Sequence, residues 1–213
     1  MKICLIGCGK MGSSLLEGWS SLKVIKHITI IEPNLEEIPS KLLNVKSFNF
    51  YKTIEEAENF SFDMTILAVK PQVMEVVLKQ ISNLNFISDS WLSIAAGLTV
   101  KFFENVLGNN QQIIRTIPNT PASIKKGVTA IYFNTNCINK TINQSILLMK
   151  AVGEAVRVDD EHLMDAYTAV SGSGPAYIFY FVEAIISAAK EMGINEKNAR
   201  ILAEKTLIGS AYL

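Results

Sequence analysis

Six residues near the N-terminus, Gly7-Cys8-Gly9-Lys10-Met11-Gly12, constrain this chain more than any other feature. They follow an apolar run at residues 3–6. They precede Leu15, Leu16, Trp19 and Leu22, which recur at helical spacing. Strand, glycine turn and helix open the folds in which a parallel sheet is covered by crossover helices. Later runs at 28–31, 64–69, 91–96 and 113–117 are short, apolar and closed by turn residues, as strands buried on both faces are. The expectation is an α/β chain, with a Rossmann-type parallel sheet carrying helices on both faces over residues 1–158. Beyond Glu161 strand signals cease, and 175–192 and 196 onward read as helices, so 159–213 is expected to be all-helical. The first of these helices is apolar nearly all round, which calls for cover by a domain core or by another subunit. The pattern is still helical at Leu213, with no cap or glycine, so more chain is expected beyond it.

Composition excludes several classes. Of 213 residues, 49% are hydrophobic and 19% charged, with 20 basic and 20 acidic side chains, which describes a globular protein and not a disordered one. The neutral balance argues against nucleic acid as a partner, and no polybasic cluster suggests a membrane surface. No run of about 18 apolar residues is found, so no membrane span is expected. The N-terminus reads as a strand instead of a signal peptide. Cys4, Cys8 and Cys137 form no disulfide framework and point to a reducing, cytoplasmic setting. His27 and His162 lie far apart, and no metal site is expected.

The glycine spacing has a mechanical reading. Gly7 permits the tight turn, Gly9 lets backbone approach a pyrophosphate, and Gly12 lets the helix pack closely on its strand. The helix N-terminus, with Cys8, Lys10 and Met11 completing the loop, offers N–H groups and positive partial charge to phosphate. An acidic residue about 20 positions on should meet the adenosine ribose, and Glu32 stands there. The cofactor is therefore NADPH or NADH. Glu32 leans towards NADH because a carboxylate repels a 2′-phosphate. Asn34 and Lys41 are the nearby groups able to meet such a phosphate.

Other strand ends extend the candidate site. Ala68, Val69, Lys70 and Pro71 are expected to line the cofactor, with Lys70 reaching phosphate or ribose. Ile94, Ala95, Ala96 and Gly97 offer the small side chains that let a flat nicotinamide ring lie on backbone. Asn119, Thr120 and Pro121 form a rigid polar loop of the kind that holds substrate. Ser171, Gly172, Ser173 and Gly174 precede Pro175 at a helix start, which suits a carboxylate, or else is a helix cap without a ligand.

Together GCGKMG at 7–12, AVKPQ at 68–72, SIAAG at 93–97, RTIPNTPA at 115–122 and SGSGPAY at 171–177 resemble pyrroline-5-carboxylate reductase. The resemblance implies NAD(P)H-dependent reduction of the cyclic imine 1-pyrroline-5-carboxylate to L-proline, the last step of proline biosynthesis. It also implies a C-terminal dimerisation domain, incomplete in this chain, and a homodimer or higher homo-oligomer. Glu161, by the same resemblance, lies near the substrate. Glu161, Thr120 and a water are the candidate proton donors to the imine. Members that place Ser or Thr at the position of Glu32 use NADPH. The competing expectations are another short Rossmann oxidoreductase, such as a β-hydroxyacid dehydrogenase or an F420-dependent NADP reductase, and a non-catalytic dinucleotide-binding module. The hydroxyacid enzymes need an asparagine four residues after a helical lysine, and here Lys190 is followed by Ile194.

Overall fold

A computed structural model describes residues 1–57 and 59–213. The chain divides into two compact units, Met1–Gly172 and Ser173–Leu213. The first is built on one eight-stranded sheet. Its strands are β1 (Lys2–Ile6), β2 (His27–Ile31), β3 (Phe48–Tyr51), β4 (Met64–Leu67), β5 (Trp91–Ser93), β6 (Ile113–Ile117), β7 (Gly127–Phe133) and β8 (Gly153–Val158). Their spatial order is β8-β7-β6-β5-β4-β1-β2-β3. Six strands run parallel, and β7 turns back antiparallel to β6 with β8 parallel to it. The expected Rossmann-type parallel sheet is present, with one antiparallel pairing at β7. The reversal follows the tight turn Thr120–Ile124, which ends with Lys125 in the left-handed conformation at φ 57°.

Side-chain alternation in β1 explains why both faces are covered. Ile3 and Leu5 join one core with Ile28, Ile30 and Met64. Cys4 and Ile6 join the other with Leu67 and Trp91. Helix α1 (Lys10–Trp19) buries Leu15, Leu16 and Trp19 in the first core, and α2 (Pro71–Ser82) buries Met74, Leu78 and Ile81 in the second. Helix α3 (Val100–Leu107) adds Phe103 to the second core, and α4 (Asn139–Lys150) adds Leu148 and Met149 to the first. The Trp19 indole N–H donates to the Leu148 carbonyl at 2.9 Å, so α1 and α4 are joined by a polar bond inside an apolar layer. Residues 159–172, assigned by sequence to the helical region, cluster with the sheet. Met164, 1% exposed, packs with Ile117, Ala130 and Val158.

The chain runs from β1 to β2 on one side of the sheet and returns to β4 on the other, so a switch point lies between β1 and β4. In open α/β sheets this crevice, at the carboxyl ends of the strands, is where ligands bind. Backbone bonds stitch the three strand ends there: Gly7 N–H to Ile31 O, Ala68 N–H to Ile6 O and Glu32 N–H to Tyr51 O.

The second unit is a helical pair, α5 (Gly174–Glu191) and α6 (Glu196–Ala211). Its buried side chains are Ala189, Ala199 and Ala203. Ile178, Phe179 and Phe181 of α5 are exposed, so among the described residues this apolar face has no cover. By length and composition alone, the helical stretch Glu161–Glu191 is long and apolar enough to cross a membrane. In sequence its apolar residues form no unbroken run, because Ser173, Glu183 and Ser187 interrupt them.

Candidate active site

The glycine-rich loop is shaped by two different demands. Gly7 adopts φ +92°, and a Cβ there would lie 2.8 Å from the Ala68 carbonyl oxygen. A Cβ on Gly12 would lie 2.6 Å from the Gly7 oxygen. Both glycines are therefore required by the protein's own packing. Gly9 is exposed, and a Cβ on it would meet nothing within 4 Å. Packing does not ask for glycine at that position, and the open space lies at the N-cap of α1, which has no side-chain cap. Uncapped first-turn N–H groups beside free space are what a diphosphate requires. The residues present fit a dinucleotide.

Glu32 is held by two backbone donors. Its carboxylate accepts the Cys8 N–H at 2.7 Å and the Asn34 N–H at 3.0 Å. The carboxylate is thus pinned between the glycine loop and the end of β2. The groups that sequence offered to a 2′-phosphate are engaged elsewhere. The Asn34 side chain donates to Glu37 at 2.7 Å, and Lys41 pairs with Glu17 at 2.8 Å. The Cys8 thiol is pushed up by burial, with the nearby Glu32 charge adding to the effect and the Ser13 hydrogen bond opposing it.

Two cavities border the loop. One, of about 540 Å³, is lined by Gly7, Gly9, Glu32, Ala68, Val69 and Lys70. It also takes in Lys52, Thr53, Val77 and Gln80, which sequence reasoning missed. Lys52 and Thr53 follow β3, a strand not anticipated, so the rule that ligands gather at strand ends had nothing to act on there. The second, of about 680 Å³, brings Cys8, Gly9, Lys10 and Met11 together with Thr120 and Ser123. The phosphate loop and the polar turn after β6 therefore share one space. Neither cavity is lined by Ile94, Ala95, Ala96 or Gly97: Ala95 is buried, while Ala96 and Gly97 are exposed. Pro71 opens α2, and Pro121 opens the Thr120–Ile124 turn.

Glu161 is differently placed from a free carboxylate. It accepts from the Arg115 guanidinium and from the Val100 N–H at 2.6 Å. It thereby ties β6 to the first turn of α3. Arg115 is only 4% exposed, and its Nε has no partner. Burial first, then the charges of Glu161 and Asp160, push the neighbouring Tyr132 phenol above its ordinary value. Asn119, 8% exposed, is also engaged at both ends, by Ser171 and Val128. Ser171 and Gly172 close the first unit, and Ser173 and Gly174 open the second. Among the described residues no group of three or more potential metal ligands is found.

A family profile described as NADP oxidoreductase, coenzyme F420-dependent, matches residues 2–97. One described as pyrroline-5-carboxylate reductase dimerisation matches residues 161–213. The pyrroline-5-carboxylate reductase of Methanosarcina acetivorans is 35% identical over 218 residues, covering 100% of this chain and 78% of that protein. The chain belongs to the pyrroline-5-carboxylate reductase family. Solved members superpose closely. The reductase from Streptococcus pyogenes gives a TM-score of 0.86 at 28% identity, covering 100% of this chain and 78% of that one. The Plasmodium falciparum enzyme, solved with NADP bound, gives 0.81 at 27% identity, again covering 100% and 78%. The family is one of nicotinamide-dependent oxidoreductases, which agrees with the geometry of the glycine loop.

Proposed function

We propose that this chain reduces 1-pyrroline-5-carboxylate to L-proline with a reduced nicotinamide dinucleotide, the last step of proline biosynthesis. The observation that carries this reading is the shared cavity, in which Thr120 opens onto the same space as Gly9, Lys10 and Met11. The first turn of α1 would hold the diphosphate, and Glu32 the adenosine ribose hydroxyls. When bound, the reduced nicotinamide supplies a hydride to the imine carbon. The protein's work is positioning, which brings a small substrate into a near-attack arrangement. Thr120 is exposed and lines the shared space, so it is assigned to the imine side with water as the proton source. Glu161, engaged by Arg115 and Val100, is assigned to bracing the site. The Ser171–Gly174 backbone is assigned to the substrate carboxylate.

The cofactor assigned is NADH. A carboxylate fixed by two amides cannot swing aside for a 2′-phosphate, and Asn34 and Lys41 are occupied. The bare face of α5 is assigned to a second copy of the chain, as a homodimer or a larger ring. The three free cysteines suit a cytoplasmic setting.

Steady-state kinetics with pyrroline-5-carboxylate test this. NADH should give a kcat/KM about tenfold above NADPH, and Glu32→Ser should reverse the order, since a like-charge clash costs on the order of 1–2 kcal/mol. Absence of turnover with either coenzyme would sink the activity. NADPH preference in the unaltered protein would sink the cofactor assignment alone.

A further inference from the structure

The helical run Glu161–Glu191 contains Pro175. In a regular α-helix each carbonyl accepts from the N–H four residues on. For Ser171 that residue is Pro175, which has no N–H to give. The backbone widens to a π-type turn over Thr168–Gly172, the distortion that often marks functional sites. A carbonyl stripped of its helical partner still needs a donor. The Asn119 side chain supplies one, with Nδ2 donating to the Ser171 oxygen at 3.0 Å. At its other end Oδ1 accepts the Val128 N–H at 2.9 Å. A backbone N–H only donates, so the Val128 bond fixes which end of the amide is oxygen and leaves Nδ2 to face Ser171. Asn119 directly precedes Thr120 in the chain, and it joins three segments: the turn after β6, the start of β7 and the break in the helix.

We propose that Asn119 is a positioning residue for imine reduction. It replaces the hydrogen bond that Pro175 withholds, and so keeps Ser171 and Gly172 in register with the Thr120 turn. This contrasts with the direct substrate contact expected from its residue type, and it rests on the function proposed above. It makes a reciprocal prediction. A residue with an N–H at position 175 should make Asn119 dispensable.

The experiment is a double-variant cycle of Asn119→Ala, Pro175→Ala and the combination, read by kinetics with pyrroline-5-carboxylate, by coenzyme fluorescence and by thermal unfolding. Asn119→Ala should lower kcat/KM for the imine about tenfold or more, while coenzyme affinity stays within about twofold, because misplaced groups cost orientation and not cofactor binding. Pro175→Ala restores a backbone donor to Ser171, so the double variant should recover most of the lost kcat/KM and melting temperature. A double variant as impaired as Asn119→Ala overturns the proposal and returns Asn119 to direct substrate contact. Asn119→Asp keeps the acceptor for Val128 but turns an oxygen towards Ser171. It should be impaired like the alanine variant and be rescued by the same second change. If the unaltered protein does not reduce the imine, the proposed activity fails. The melting temperatures then decide the inference by themselves, since recovery in the double variant does not depend on substrate.

Discussion

The two compact units place their apolar side chains in opposite directions. In the first, β1 is covered on both faces, and Leu5, Leu15, Leu16 and Ile66 have no exposed surface. In the second, Phe179 is 63% exposed and Tyr180 is 77% exposed, and what is buried is alanine. The first region is stabilised by its own packing. The second is a surface whose stability depends on what covers it. Equal hydrophobicity in sequence therefore has two meanings, and the difference lies in how many neighbouring elements each segment has within reach.

The largest test of this contrast is a pair of truncations. Trp19→Ala removes a large buried ring and its hydrogen bond to the Leu148 carbonyl, and should cost about 3–5 kcal/mol in denaturant unfolding. Phe179→Ser with Phe181→Ser should change the unfolding of the first unit by less than about 0.5 kcal/mol. It should shift the assembly towards monomer in sedimentation. A large loss of stability in the first unit from these surface changes would erase the distinction. A smaller effect sharpens it within the glycine loop. Gly12→Ala forces a Cβ against the Gly7 oxygen and should destabilise by about 1–3 kcal/mol. Gly9→Ala should leave the melting temperature in place and weaken coenzyme binding about tenfold, because its Cβ enters the space kept for the diphosphate. If Gly9→Ala melts like Gly12→Ala, packing explains both.

The smallest effect is alkaline. Burial raises the Cys137 thiol from its ordinary 9.0 to about 11, and raises Cys4 further in the same direction. Both groups must stay neutral in the folded protein while the unfolded chain lets them ionise. Their contribution is complete below pH 9 and declines as pH rises from there towards 11. Cys137→Ser should flatten part of that decline in a pH series of denaturant midpoints. An unchanged slope would mean the thiol is more hydrated than its surroundings imply.

The central strands were legible in sequence because burial on both faces leaves an apolar run. β3, β7 and β8 were not. β8 is an edge strand whose Glu154 and Arg157 are exposed, so its pattern carries half the signal. β7 is rich in branched and aromatic residues, but the left-handed Lys125 that reverses it has no signature in residue type. The cofactor loop was readable because its glycines act locally. The hydrogen-bond partner of Asn119 was hidden for the converse reason: Ser171 is 52 residues away, and a polar residue on a rigid loop looks the same in sequence whether it meets a ligand or a carbonyl. Glu161 is alike, since its Arg115 partner is 46 residues distant.

Both indoles of this protein, Trp19 and Trp91, lie in the sheet-bearing unit at 1% and 4% exposure, and the helical pair has none. Indole emission will consequently register melting of the sheet and stay silent while the helices separate or fray. Any disparity between an emission curve and far-ultraviolet dichroism measures how independently the two halves come apart.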